Sequence, residues 1–140
     1  MAGLCFFFEA EDVDVWSGKN LDAWNYAAKA AGDIDRMLVI NRTDQTLLSP
    51  DADLASFEVV AELPALERAV YLIGPREDNS EAINLWKFNH DIDWYVFGPA
   101  MGWTKPMVPG VYVPQNGVGA LHSVHIASVV MLHRYFVRNS

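Results

Sequence analysis

Short apolar runs alternate with polar and glycine-rich stretches along this chain, and their order predicts an α/β architecture. Leu4–Phe8 is continuously apolar, as expected of a strand buried on both faces. Glu9–Asp14 is polar and acidic, an expected loop. Asn20 is suited to capping a helix over Leu21–Ala31, in which Leu21, Trp24, Ala28 and Ala31 share one face and Gly32 supplies the stop. Arg36–Asn41 reads as the next strand. A strand, a helix and a strand in such a short span make a βαβ unit, which requires a parallel pair.

Beyond a polar stretch over Thr43–Ala55, Phe57–Ala61 reads as a short strand. Leu63–Arg68 reads as a short helix that Pro64 opens at its first turn. Ala69–Gly74 is a strong strand ending in Gly-Pro, whereas Glu81–Phe88 fits a strand or a helix equally well. A strand ends at Phe97, Gly110–Pro114 forms the last strand, and Ala120–Arg138 is an apolar final helix. No repeat, low-complexity tract or linker interrupts the chain, so residues 1–140 are expected to form a single domain.

A hydrophobic content of 51% excludes a disordered chain. The formal net charge of −8 opposes general binding to polyanions and argues against a DNA partner. Lys19, Lys29, Lys105, Arg134 and Arg138 are each expected to be solvated surface charges. Cys5, the only cysteine, falls in a strand and reads as a core residue. The apolar start is too short for a signal segment, and no stretch reaches the ~20 apolar residues of a membrane span. A cytoplasmic protein with no membrane partner is expected.

Three glycine- or proline-rich turns follow strands: Ile73-Gly74-Pro75, Phe97–Gly102 and Val113–Gly117. Ligands of open parallel sheets bind outside the carboxyl ends of strands, where glycine lets backbone groups come close. "YVFGPAMGW", "VYVPQNG" and "ALHSVHIASVVMLHRYF", in this order, resemble the motif loops of the SPOUT methyltransferases, the α/β trefoil-knot enzymes. The closest resemblance is to their minimal SpoU-type branch, which methylates the ribose 2′-hydroxyl of tRNA. "LCFFFEAEDVD…KNLDAWNYAAKAAGDIDRMLVIN" is similar to that branch's opening strand, helix and strand, so the resemblance spans nearly the whole chain.

The resemblance implies an α/β knot with a parallel sheet, its C-terminal helix threaded through the loop around Phe97–Trp103. It implies S-adenosylmethionine held by Ile73, Gly74, Pro75, Phe97, Gly98, Pro99, Gly102, Val113, Pro114, Gln115, Gly119 and Leu121. It further implies a homodimer built partly on the last helix, with RNA, tRNA in particular, as the partner to be modified. Leu121, Val124, Met131 and Tyr135 are the expected interface residues, joined by Trp24.

The catalytic positions depart from the family's pattern. Asn20 matches the opening asparagine of the first helix, but no arginine follows it, and Ala100 stands where the family carries glutamate. His122 replaces a motif asparagine and becomes the candidate general base. His122 and His125, one turn apart, have the spacing of metal ligands but no acidic or cysteine companion, so core or interface roles are expected and no metal. Trp94, Trp103 and Tyr112 flank the loops, and either stack on a base or pack in the core. Two functions therefore stand side by side: an RNA methyltransferase, or a catalytically degenerate knot protein that binds a nucleotide-like ligand or acts through its dimer surface.

Overall fold

The computed structural model describes residues 2–8, 18–41, 57–74, 81–99, 102–114 and 123–140. Seven strands form one sheet: β1 (Ala2–Phe8), β2 (Ile34–Asn41), β3 (Phe57–Val60), β4 (Ala69–Leu72), β5 (Ile83–Asn84), β6 (Trp94–Phe97) and β7 (Gly110–Tyr112). Two helices join them, α1 (Gly18–Ala31) and α2 (Ser123–Arg138). The spatial order is β3-β2-β1-β6-β4-β7-β5, and every pairing is parallel. β6 enters between β1 and β4, and β7 enters between β4 and β5. The connections β4→β5 and β6→β7 therefore each stride over a strand belonging to the other.

Pleating explains why the strands read as continuous apolar runs. Leu4, Phe6, Met37, Val39, Val70, Leu72, Tyr95, Phe97 and Val111 point to one face, where Trp24, Ala27, Ala28 and Ala31 of α1 and Ala127, Val130 and Met131 of α2 cover them. Cys5, Phe7, Leu38, Ile40, Trp94 and Val96 point to the other, under Val60, Leu63, Leu66 and Trp103. A strand with both faces dry cannot alternate with polar residues. Phe6 stacks on Trp24 at 3.9 Å between ring centres, and Trp24 meets Phe97 edge-on at 5.3 Å. Each such pair contributes roughly 0.5–1.5 kcal/mol beyond the area it buries.

Several expectations are corrected. Leu63–Arg68 is not helical: Leu63 and Leu66 lie over the second face of the sheet, and Arg68 takes a left-handed conformation at φ 51°. Arg68 holds that turn by donating to the carbonyl and side chain of Asp91, at 3.1 and 2.9 Å. The ambiguous Glu81–Phe88 divides into the two-residue β5 and a 3-10 turn at Leu85–Lys87, capped by the Asn84 side chain. α1 begins at Gly18, so Asn20 lies inside its first turn and not at its cap. Trp24 and Met131 pack in the core of the monomer, because both sit between helix and sheet, and neither is open to an interface. Val124 is partly buried, Tyr135 is exposed, and Leu121 lies outside the described residues. The threading of α2 involves residues 100–101 and 115–122, also outside them.

Arg134 is 1% exposed and not the solvated charge expected of it. It pairs with Asp33, donating from Nε at 3.0 Å and also from Nη2. Arg138 reaches the same carboxylate at 3.7 Å. Burial alone would draw the guanidinium's pKa down, but the bonds to Asp33 and Tyr95 outweigh it and hold the group above its ordinary value. The bond from Arg134 holds the Asp33 carboxyl below its usual range, against partial burial.

Candidate functional site

The strand order decides where the three glycine turns go. β6, β4 and β7 are neighbours and all run the same way, so the turns after Phe97, Leu72 and Tyr112 leave one edge of the sheet side by side. Leu72 lies level with Phe97 on one side and Val111 on the other. At the ordinary strand spacing the three exits span about 10 Å. The backbone N–H of Ile73 donates to the Val111 carbonyl at 3.0 Å, which ties the first exit to the third.

The turn after β6 is built around two glycines. Gly102 has φ 85°, a left-handed conformation that suits glycine, and its N–H closes the turn on the Pro99 carbonyl at 2.9 Å. Trp103 then folds back, and its indole N–H donates to the Leu72 carbonyl at 2.9 Å. The indole meets Phe7 and Tyr71 edge-on at 5.6 and 5.8 Å. It lies so close to Gly98 that a Cβ there would stand 2.8 Å from the indole nitrogen, closer than packed atoms approach. Gly98 is thus glycine because Trp103 needs the space. α2 joins the same group, for the Ser123 hydroxyl donates to the Gly98 carbonyl at 3.2 Å.

Ile73, Gly74, Phe97, Gly98, Pro99, Gly102, Val113 and Pro114 are therefore brought to one edge, at the ends of three adjacent strands. Phe97 and Val113 contribute backbone there, since their side chains belong to the α-helical face of the core. Pro75, Gln115, Gly119, Leu121 and His122 fall outside the described residues, and Asn20 is described in its backbone alone. Trp94 is not at this edge. It begins β6, roughly 10 Å of strand before the turn, and packs under Arg36 at 5.0 Å and against Gly3, where a Cβ would lie 2.5 Å from its ring. Ser123 and the Trp103 bond are missed by the sequence reading. A hydroxyl at a helix start and a tryptophan after a glycine turn are its only signals.

Chemically, this end of the sheet offers backbone donors and acceptors and small residues, with the Trp103 indole folded against it. A shallow depression of about 380 Å³ elsewhere, lined by Arg36, Glu58, Glu67 and Trp94 among others, has mixed charge, with Arg36 paired to Glu58 at 3.4 Å.

No protein-family model matches the sequence, and no curated protein matches it. The fold does match solved structures. One is described as a probable methylase family protein from Haemophilus influenzae Rd KW20: TM-score 0.70, 10% identity, covering 99% of this chain and 64% of that one. This chain thus spans a little under two thirds of that protein's length. Another is described as giving structural insights into the 2-OH methylation of C/U34 on tRNA: TM-score 0.63, 19% identity, covering 99% of this chain and 97% of that one. The architecture is accordingly that of a SPOUT-like α/β fold.

Proposed function

We propose that the protein is an S-adenosylmethionine-dependent methyltransferase that acts on RNA at a ribose 2′-hydroxyl. The observation that carries this reading is the convergence of three glycine turns at the ends of β6, β4 and β7, closed by Trp103 and by the first turn of α2. It is supported by the likeness to two methylase structures, one of them described in terms of tRNA 2-OH methylation. Small residues and backbone groups at the described strand ends (Ile73, Gly74, Phe97–Pro99, Gly102, Val113 and Pro114) support this cofactor, which Ile73–Pro75, Phe97–Gly102 and Val113–Gly119 would hold through backbone groups. S-adenosylmethionine, when bound, supplies an electrophilic methyl group. This chain's task is then to align an acceptor oxygen and take its proton, and His122, just before the first turn of α2, is assigned that base role, with Asn20 orienting the acceptor. Threading of α2 through the 97–103 loop belongs to the same proposal.

We further propose that the protein works as a homodimer in the cytoplasm. Tyr26 on α1 and Leu132, Tyr135 and Phe136 on α2 are large apolar side chains left exposed on the helical layer, Tyr26 at 75% and Phe136 at 62%. Tyr135 and Phe136 meet edge-on at 5.7 Å, and an exposed apolar patch there supports an interface. A second reading, a degenerate knot protein that keeps the ligand and has lost the reaction, is favoured by Ala100 and by the lack of an arginine in α1.

Incubation with tritiated S-adenosylmethionine and transfer RNA separates the two. Label recovered in alkali-resistant dinucleotides, because a 2′-O-methyl group blocks cleavage of the adjoining phosphodiester, and strongly reduced in His122→Ala although that variant still binds cofactor, is the expected result. Binding with no transfer to any RNA supports the degenerate reading, and no binding by the wild type sinks the methyltransferase and leaves a knot protein that acts through its dimer surface.

A further inference from the structure

Beneath the last turns of α2, at the end of the sheet opposite the glycine turns, Arg134, Tyr95, His90 and His133 form one chain of hydrogen bonds. Its direction follows from counting protons. A guanidinium can only donate. Arg134 Nη1 donates to the Tyr95 hydroxyl at 2.9 Å and to the His90 carbonyl at 3.2 Å. With a donor already on its oxygen, Tyr95 passes its own proton to His90 Nδ1, 2.7 Å away. Neutral His90 therefore keeps its proton on Nε2 and donates it to His133 Nδ1 at 2.6 Å. His133 in turn carries its proton on Nε2. In this direction each of these contacts has one donor and one acceptor. In the reverse direction the Tyr95 proton has no acceptor among the described residues, inside a fully buried ring.

An additional proton has no place in such a chain. On His133 Nδ1 it would face the His90 N–H, donor against donor. If His90 yielded by moving its proton to Nδ1, the Tyr95 hydroxyl would lose its acceptor. The surroundings also oppose a new positive charge. Arg134 and Arg138 approach from α2, while Asp33, on the α1–β2 connection, is already committed to both of them. Tyr95 is the titratable group on β6, and Trp86 and Phe88 offer His133 and His90 only rings, at 5.5 and 4.8 Å. His90 itself stands at φ 62°, a left-handed conformation uncommon outside glycine. His133 is half-buried and has a path outward.

We propose that the His90–His133 pair is a proton-operated latch: neutral, it clamps the C-terminal half of α2 to the sheet, and on proton uptake His133 leaves and the last two turns loosen. Because the first turn of α2 contacts Gly98, the latch sits on the element that closes the candidate site.

Amide hydrogen exchange on the full chain reads this directly. A released histidine has a pKa of about 6.5, so acidification from pH 7.5 to 5.0 favours release by up to about 30-fold. Amides of residues 131–138, corrected for intrinsic rates and referred to those of β1, should lose about that much protection. His133→Asn offers a carbonyl acceptor in place of Nδ1 and does not titrate, so its α2 amides should show no such pH dependence. Should that variant fail to fold, side-chain nitrogen NMR of the wild type at pH 7.5 decides, with His90 and His133 both expected as the Nε2–H tautomer. Unchanged wild-type protection, a pH dependence that survives in His133→Asn, or an Nδ1–H His90 would each overturn the latch.

Discussion

Replacing Asp33 by alanine strips a guanidinium of its counter-charge inside the protein. Arg134 is 1% exposed and gives Asp33 two of its donors, while Asp33 itself is 32% exposed. Breaking a buried ion pair by removing one partner costs about 3–5 kcal/mol, because the remaining charge stays dry. Here the outer edge of the carboxylate touches water, which can reach part of the vacated space, so the expectation is the lower end, about 3 kcal/mol. With a urea dependence near 2 kcal/mol per molar, the unfolding midpoint should fall by about 1.5 M at unchanged slope. Far-ultraviolet circular dichroism across a urea series measures it. Adding Arg134→Met to Asp33→Ala removes the stranded charge and leaves apolar volume, at the cost of the bonds Arg134 gives to Tyr95 and the His90 carbonyl, so the double variant should regain part of the loss. A single-variant cost below about 1 kcal/mol, or a double variant no more stable than Asp33→Ala, would refute the burial argument.

Acid should weaken the fold well above the carboxylate range. Burial, with His133, Arg134 and Arg138 nearby, lowers the His90 pKa to about 3. The unfolded chain takes up that proton near pH 6.5, so this contribution is full above pH 6.5 and declines as pH falls toward 3. About 2 kcal/mol should be gone at pH 5 in urea titrations, and a flat profile between pH 7 and 5 would contradict the buried neutral imidazole. Gly98→Val should displace the Trp103 indole, visible as a red-shifted emission, and abolish cofactor binding with the circular dichroism spectrum unchanged; retained affinity would show that the turn does not form the site. Burial pushes the Cys5 thiol up to about 12, so it should resist a thiol reagent at pH 8 until the protein is unfolded.

Residues that obey a local rule were legible in the sequence. Leu4–Phe7 and Met37–Ile40 are apolar without alternation because both faces of their strands are covered, and the βαβ order fixes their parallel pairing. The glycine turns could be seen one by one, and their common edge follows once β6 and β7 are known to enter beside β4. That interleaving is decided by contacts far apart in sequence and has no local signature. Arg134 looked like a surface charge at the end of an apolar helix, since the carboxylate that neutralises it lies 101 residues away. Leu63 and Leu66 imitated a helical spacing while lying across the sheet, where packing overrides propensity. Trp94 and Trp103 looked equivalent beside the motif, yet one begins a strand and the other folds back onto its neighbour's carbonyl.

If three adjacent strand ends form a site for S-adenosylmethionine, a chemical-shift titration will locate the ligand there. Uniformly nitrogen-15-labelled protein would be titrated with S-adenosylhomocysteine, which occupies such a site without turning over. Saturable shifts are expected at the amides of Gly74, Gly98, Gly102, Trp103, Val113 and Ser123, with β3 and the Arg36–Glu58 region unmoved. No saturable shift at millimolar ligand, or shifts confined to residues away from the ends of β6, β4 and β7, would contradict that site.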